Sequence, residues 1–216
     1  MNSSFYRTAR QDPYSLPAWG EPALRYINKG ALVLDVGAGG GQISKLIKLK
    51  LDASVKAINL SKWDIKECKK KGIACYRVDI EKQHFPFKKN MFDTIIFLEV
   101  IEHLFNPYPP LKEIKRILKP KGSLILSTHN CYNLSMRLRF LFGQTPEPHL
   151  DVSNEKNLGQ HIRLYNYRII EKLLKNVGFV KIDFHPWINL PLFGIVYLPG
   201  FMKSLFSQHV FVVAFK

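Results

Sequence analysis

Short apolar runs alternate with amphipathic segments along most of the 216-residue chain. Continuous apolar runs predict buried strands, whereas apolar residues spaced three and four apart predict helices that pack on them. Seven strands are predicted at 33–36, 54–60, 73–78, 92–98, 123–127, 179–184 and 210–215, and helices at 16–28, 42–50, 62–71, 110–118 and 167–176. Alternation of strand and helix at this spacing indicates βαβ units and therefore a mostly parallel sheet.

No internal repeat or low-complexity linker divides the chain, so residues 1–216 are predicted to form one domain. An N-terminal helical segment at about 1–30 precedes the first strand. A long irregular insertion at about 131–160 follows the fifth strand, where we expect a lid or an acceptor-binding loop. Prolines and glycines interrupt the apolar region 187–206, which favours a pocket wall with a hairpin arm over a membrane span.

Residues Leu32 to Gln42 join an apolar strand to a glycine-rich loop and the start of a helix. Glycines at 37, 39, 40 and 41 leave the backbone without side chains, so a ligand can lie against the main chain. Such a turn after the first strand of an open α/β sheet forms a small-molecule crevice. A phosphate-binding P-loop is excluded because Gln42, Ile43 and Ser44 replace its Gly-Lys-Ser/Thr. A dinucleotide fingerprint is excluded because Gln42 replaces its third glycine.

Four motifs follow one another in an order that resembles a known enzyme superfamily. They are Asp35-Val-Gly-Ala-Gly-Gly-Gly, Val78-Asp79-Ile80, the strand-four segment 92–104 and the helix-turn-strand segment 115–126. Together they resemble the Rossmann-like S-adenosylmethionine (SAM)-dependent methyltransferases, and within them the ubiquinone-biosynthesis-like group. The resemblance implies an α/β fold with a doubly wound seven-stranded sheet, mostly parallel with a terminal antiparallel strand. It also implies SAM as the cofactor.

The resemblance further implies which residues bind the cofactor, with the aspartate after strand three recognising the adenine amino group. These residues are Asp35, Gly37, Ala38, Gly39, Gly41, Gln42, Asn59, Asp79, Ile80 and Glu99. Asn59 departs from the family pattern, in which an acidic residue ends strand two and accepts both ribose hydroxyls. An amide oxygen accepts one such hydrogen bond without the charge-assisted strength of a carboxylate. We therefore expect weaker cofactor binding, or compensation by a neighbouring residue.

Methyl transfer from a sulfonium to an oxygen requires an oriented acceptor whose proton is removed. His161, His149 and His103 are the candidates for this general base, because we expect them near the acceptor side of the cofactor. His129, directly after strand five, is interpreted as a structural hydrogen-bonding residue.

A divalent metal is the alternative means of activating an oxygen acceptor. Glu99, Glu102 and His103 would share one face of a helical turn. With His161 they resemble the metal ligands of the small-RNA 3′-terminal 2′-O-methyltransferases. We do not favour a metal at these four residues, because many metal-free relatives carry the same Glu-x-x-Glu-His.

The chain carries 32 lysines and arginines against 17 acidic residues, a formal charge of +15. Solvated helix faces explain this excess as well as an anionic partner does, whether nucleic acid, membrane or phosphorylated substrate. The three cysteines lack metal-ligand or disulfide-framework spacing, and the polar N-terminus lacks a clean signal peptide. A cytoplasmic location, with peripheral membrane contact as an alternative, is therefore expected.

These observations predict a SAM-dependent methyltransferase that acts on an oxygen of a small molecule, glycan or lipid-linked intermediate. The positive charge and the Glu/His set motivate an alternative, a metal-dependent RNA 2′-O-methyltransferase. Asn59 motivates a second alternative, a non-catalytic SAM-binding protein. The acceptor's identity and the oligomeric state do not follow from the sequence.

Overall fold

The computed structural model describes residues 20–144, 161–190 and 194–216. Its centre is a seven-stranded sheet of β1 (Leu32–Val36), β2 (Ser54–Asn59), β3 (Ala74–Arg77), β4 (Phe92–Leu98), β5 (Leu118–His129), β6 (Lys181–Phe184) and β9 (His209–Phe215). A separate hairpin pairs β7 (Trp187–Leu190) with β8 (Gly194–Tyr197). The order in the sheet is β3-β2-β1-β4-β5-β9-β6, and only β9 runs antiparallel to its neighbours. The predicted fold class is confirmed.

Helices cover both faces of the sheet. They are α1 (Glu21–Leu24), α2 (Gln42–Leu51), α3 (Lys62–Lys70), α4 (Tyr108–Ile117), α5 (Leu134–Leu141), α6 (Tyr167–Val177) and α7 (Lys203–Phe206). Local sequence sets their ends: the Ser61 hydroxyl accepts the N–H of Asp64 at the start of α3. Gly178, with φ of 94°, ends α6 in the left-handed conformation that favours glycine.

Two apolar layers hold the sheet between the helices. Alternation along β1 sends Leu34 into the layer with Leu111 of α4 and Leu174 of α6. Val33 faces the opposite layer with Ile47 of α2. Because side chains alternate between faces, each strand contributes to both layers. The carboxyl ends of the parallel strands consequently meet at one edge, and the amino end of the antiparallel β9 lies at that same edge.

The predicted irregular insertion at 131–160 is partly helical, which corrects that expectation. Helix α5 lies within it, and the Asn133 side chain caps its first turn by accepting the N–H of Met136 at 3.0 Å. This cap was overlooked because α5 buries none of its residues and so lacks a clear apolar stripe. Residues 145–160 of the insertion lie outside the described ranges.

The predicted leading helix at 16–28 is also longer than the observed one. Helix α1 ends at Leu24, and the turn that follows buries Ile27 against the sheet, so tertiary packing overrides a continued helix. Residues 16–19 lie outside the described ranges. The single-domain assignment of residues 1–216 stays a prediction.

The described helices are all too short or too polar to cross a bilayer. Cys68, Cys75 and Cys131 are buried, and none of them forms a disulfide among the described residues.

Candidate active site

The glycine-rich loop between β1 and α2 leaves open space against its backbone. Gly37, Gly39 and Gly41 have φ values of 78°, 50° and 77°, a region that glycine adopts without steric cost. A Cβ on Gly37 would lie 2.5 Å from Cγ2 of Val100, and a Cβ on Gly41 would lie 2.8 Å from Sγ of Cys68. Among the described residues, no atom apart from those of Gly39 and its two chain neighbours lies within 4 Å of the Cβ position of Gly39. Gly37 and Gly41 are thus tightly packed against Val100 and Cys68, whereas the loop is open at Gly39. This arrangement fits a ligand held along the main chain.

Asp35 supports this loop from the core side. Its Oδ2 accepts a hydrogen bond of 2.7 Å from the Ser44 hydroxyl in the first turn of α2. Burial raises the pKa of Asp35 to about 7, and the Ser44 hydrogen bond partly opposes that rise. Because only 5% of Asp35 is exposed, its carboxylate positions the loop and helix rather than facing the open cradle.

Asn59 is the last residue of β2, and Asp79 lies two residues beyond the end of the neighbouring strand β3. The Asn59 Oδ1 atom accepts the N–H of Ser61 at 3.0 Å, so the side chain holds the turn into α3. The Asp79 Oδ1 atom accepts the N–H of Glu81 at 3.2 Å, and the Asp79 N–H donates to Gln83. Both predicted cofactor residues are therefore fixed beside the glycine loop by local hydrogen bonds.

Glu99, directly after β4, faces two imidazoles. Its φ of 52° places a non-glycine residue in the left-handed region, a strained conformation that concentrates at functional sites. The Ser127 hydroxyl donates to Oε1 at 2.6 Å. Nδ1 of His209 lies 3.2 Å from Oε1, and Nδ1 of His129 lies 3.1 Å from Oε2. The side chain therefore points into a side-chain cluster at the sheet edge.

The two imidazoles meet because of strand pairing. His129 ends β5 and His209 begins β9, and the two residues are direct partners in the antiparallel register. Their ring centroids are 4.8 Å apart. Trp187 of the hairpin stacks on His209, with centroids 5.0 Å apart and planes 14° from parallel. Only the antiparallel β9 could bring a residue from the chain terminus to this edge.

Glu102 adds a second carboxylate from the 3₁₀ turn Ile101–His103. It is 1% exposed, and its Oε1 lies 3.6 Å from Nδ1 of His129. Among the residues that the structure describes, neither Glu102 carboxylate oxygen accepts a hydrogen bond. Burial alone would lower the pKa of His129, but the carboxylates of Glu102 and Glu99 raise it to about 10. Burial would raise the pKa of Glu99, but His209 and His129 hold it well below its usual range.

His161 approaches the cluster from the segment before α6. The Glu102 carbonyl accepts the N–H groups of Ile162 and Arg163 at 3.0 and 3.2 Å, which holds this segment in place. The His161 ring centroid lies 4.9 Å from that of His129 and 5.0 Å from that of His103. The backbone carbonyl of Glu102 thus helps to position the His161 side chain.

We refer to Glu99, Glu102, His129, His161 and His209 as the edge cluster. Within it, Glu99, His129 and His209 place ligand-type atoms within 4.8 Å of one another, as do Glu102, His129 and His161. His103 joins neither of these groups among the described residues. His149 lies outside the described ranges.

Two edge-cluster residues were not among the candidate site residues from the sequence. His129 was interpreted as structural, and His209 was not singled out. A usable signal existed for His129, because a polar residue after a parallel strand lies at the ligand edge. His209 required knowledge that the terminal strand runs in the opposite direction.

A cavity of about 810 Å³ opens beside the edge cluster. His129 and His209 line it together with residues of α5, α7 and the hairpin. Its apolar lining comprises Leu134, Met136, Leu138, Phe142, Ile188, Leu205 and Phe206, and its polar lining includes Asn133, Arg139, Gln144 and Gln208. The cavity can therefore hold a molecule with an apolar part and a polar end near the imidazoles.

Comparison with known proteins finds methyltransferases that are similar in sequence and in fold. Residues 34–126 match the family described as methyltransferase domain. A ubiquinone biosynthesis O-methyltransferase of Xanthomonas oryzae is 36% identical over 106 residues, covering 47% of this chain and 44% of that protein. A SAM-dependent methyltransferase of Thermotoga maritima has a similar fold, with a TM-score of 0.70, 18% identity and coverage of 92% and 88% of the two chains. One from Archaeoglobus fulgidus gives a TM-score of 0.67 at 17% identity, covering 91% and 92%.

Residues 34–126 therefore match a SAM-dependent methyltransferase domain, and the fold of the described residues is that of the Rossmann-like methyltransferases. The resemblance inferred from the four motifs is thereby confirmed, with SAM as the cofactor of this class. The chain spans less than half of the length of the curated relatives that it matches.

Proposed function

We propose that the protein transfers a methyl group from SAM to an oxygen of a small-molecule or lipid-linked acceptor that carries an apolar chain. The observation that carries this proposal is the cavity that connects the apolar faces of α5 and α7 to His129 and His209. An acceptor with an apolar tail and a hydroxylated head matches these two ends. The name of the Xanthomonas relative, an O-methyltransferase of ubiquinone biosynthesis, supports an oxygen acceptor.

The donor end of the site is built from backbone and two side chains. SAM supplies an electrophilic methyl group on its sulfonium when it is bound. The open backbone at Gly39 would lie along the donor, with Asn59 at the ribose and Asp79 at the adenine amino group. The oxygen of Asn59 accepts the N–H of Ser61 and keeps a second lone pair for a ribose hydroxyl, and the side-chain NH₂ can donate to a ribose oxygen.

At the acceptor end, the chain must orient a hydroxyl and remove its proton. We assign proton removal to the His161 imidazole, because the Glu102 carbonyl anchors the segment that follows it and His129 lies beside it. The oxygen gains the methyl group, and its proton passes to the imidazole and then to solvent. Positioned general bases of this kind contribute about 10²- to 10⁴-fold to rates.

The outer surface of α5 supports a lipid-linked acceptor. Phe140 and Leu141 are 72% and 75% exposed, and Arg137 and Arg139 lie on the same short helix. Exposed apolar side chains beside cations suit the interface of an anionic membrane. An acceptor embedded in such a membrane could enter the cavity beneath α5.

The test is methyl transfer from radiolabelled SAM to phenolic acceptors that share one head group and differ in chain length. We expect kcat/KM to rise with chain length in the wild-type protein. In the Leu138→Gln variant, KM for long-chain acceptors should rise while kcat and SAM binding stay unchanged, because Leu138 lines the cavity. Leu49→Gln is the matched control, since Leu49 is exposed on α2 and does not line it.

Three results would contradict the proposal. They are methylation of short RNA but of no phenolic acceptor, equal KM values along the chain-length series, and tight SAM binding by calorimetry without turnover on any acceptor.

A further inference from the structure

The spacing of the edge-cluster atoms is that of ligands around one ion. Metal–ligand bonds of about 2.1 Å place neighbouring ligand atoms about 3.0 to 3.4 Å apart in octahedral or tetrahedral shells. Nδ1 of His129 lies 3.1 Å from Oε2 of Glu99 and 3.6 Å from Oε1 of Glu102. Nδ1 of His209 lies 3.2 Å from Oε1 of Glu99. The two distances to Glu99 therefore fall within the range of a coordination shell, and the distance to Glu102 lies slightly beyond it.

Hydrogen bonds satisfy only part of the cluster, since Nδ1 of His209 and the Ser127 hydroxyl both bond Oε1 of Glu99. Although 3.1 Å apart, Oε2 of Glu99 and Nδ1 of His129 are not aligned for a hydrogen bond, and both atoms are buried without one among the described residues. Both carboxylate oxygens of Glu102 are likewise buried without a hydrogen bond among the described residues. A buried carboxylate without donors is costly unless a cation balances it. A cation bound among these atoms would satisfy the carboxylate oxygens that lack a donor.

We propose that Glu99, His129 and His209 bind one divalent transition-metal ion, with Glu102 as the second carboxylate beside His129. Two imidazoles favour manganese, iron, cobalt or zinc over magnesium or calcium, which prefer oxygen ligands alone. This ligand set differs from the predicted one, because strands β5 and β9 supply the imidazoles and His103 does not take part.

Neighbouring residues hold these ligands in place. The Ser127 hydroxyl bonds Glu99, and Trp187 stacks on His209, as supporting residues commonly do at metal sites. Because His129 and His209 also line the cavity, an ion here would supply Lewis-acid chemistry at the polar end of the acceptor site. The inference adds to the proposed function but does not depend on it.

The experiment measures binding of Co²⁺ to chelator-treated protein by calorimetry and by visible absorption, whose intensity reports coordination number. We expect one Co²⁺ per chain. His129→Gln and His209→Gln should each weaken it at least about 100-fold, and Ser127→Ala about 10-fold. His84→Gln is the matched control, since His84 contacts Glu113 on α4, away from the cluster. Its affinity should equal that of the wild type.

A second measurement locates the ion without removing a ligand. Co²⁺ should quench tryptophan fluorescence in the wild type through Trp187, and Trp187→Phe should lose most of this quenching while it still binds Co²⁺. This variant keeps the test valid if a histidine variant fails to fold.

Absence of saturable Co²⁺ and Mn²⁺ binding, or unchanged affinity in both folded histidine variants, would overturn the metal site. Calorimetry with S-adenosylhomocysteine separates this failure from that of the proposed function. S-adenosylhomocysteine binding and methyl transfer without Co²⁺ binding would overturn the metal site alone. Co²⁺ binding without methyl transfer to any acceptor would overturn the proposed function alone.

Discussion

Val100 packs directly on Gly37, so that a Cβ on the glycine would lie 2.5 Å from Cγ2 of the valine. The contact joins two halves of the site. Gly37 begins the glycine-rich loop after β1, and Val100 follows Glu99 of the edge cluster after β4. Since β1 and β4 are adjacent parallel strands, the loop and the cluster are held in a fixed relation by one apolar contact.

Gly37→Ala should destabilise the protein and weaken S-adenosylhomocysteine binding. The left-handed backbone costs an alanine about 1–2 kcal/mol, and the clash with Val100 adds about 1–3 kcal/mol. Urea unfolding and calorimetry measure the two effects. Gly143→Ala is the control for backbone strain alone, because Gly143 has φ of 70° and, in the part of the chain that the structure describes, no non-neighbouring atom within 4 Å of its Cβ position. Equal losses in both variants would show that the Val100 contact is unimportant.

Asp35 should make stability fall as pH rises towards neutrality. Burial raises its pKa from 3.8 to about 7 in the folded protein, so the folded state binds more protons than the unfolded state between these values. Stability contributed by the protonated form is therefore complete below about pH 4 and lost above pH 7.

The Asp35→Asn variant should lack this dependence. Its free energy of unfolding relative to wild type should increase between pH 4 and pH 8, by an amount on the order of 4 kcal/mol. Urea unfolding at several pH values measures it. Ser44→Ala is the companion variant, because loss of the hydroxyl donor should raise the Asp35 pKa further. A pH-independent difference between Asp35→Asn and wild type would show that Asp35 is ionised in the folded protein.

Asn59→Asp should strengthen S-adenosylhomocysteine binding about five-fold, on the order of 1 kcal/mol, because a carboxylate makes charge-assisted hydrogen bonds to ribose hydroxyls. The substitution keeps the acceptor for the Ser61 N–H. Calorimetry provides the affinity. Asn90→Asp controls for the added negative charge, since Asn90 pairs with Lys216 and not with the glycine-rich loop. Unchanged affinity in Asn59→Asp would remove this residue from the ribose site.

His161→Ala should lower kcat about 10²- to 10⁴-fold and leave S-adenosylhomocysteine affinity unchanged, since the imidazole is assigned to the acceptor proton. Single-turnover methyl transfer measures the rate of the chemical step. An alanine variant with wild-type kcat would assign proton removal to another group.

The exposed face of α5 should bind anionic vesicles. The double variant Phe140→Ser/Leu141→Ser should bind them several-fold more weakly in co-sedimentation, because two exposed apolar side chains no longer insert. Binding by the wild type should also fall as salt screens Arg137 and Arg139. Val180→Ser is the control, because Val180 is 80% exposed but lies before β6. Vesicle binding that responds equally to both variants would exclude this face.

The sequence predicted most of the fold because hydrophobic periodicity, and the residues that begin and end helices, act over short stretches of the chain. The strand at Phe92–Leu98 was predicted to the residue, since a buried parallel strand is a continuous apolar run. Helix α5 was missed because its apolar residues face outward, where burial does not impose a stripe. The hairpin of β7 and β8 was foreseen only as an arm, because its pairing depends on where Trp187 packs.

By itself the sequence determined where the glycine loop, Asn59 and Asp79 lie, because each stands at the carboxyl end of a short strand and these ends meet at one sheet edge. The tertiary structure decided which residues form the edge cluster. His129 and His209 are 80 residues apart in the chain, yet they are register partners because β9 enters the sheet antiparallel beside β5. Local periodicity determines which segments become strands, but the direction and neighbours of a terminal strand depend on long-range packing that no local pattern records.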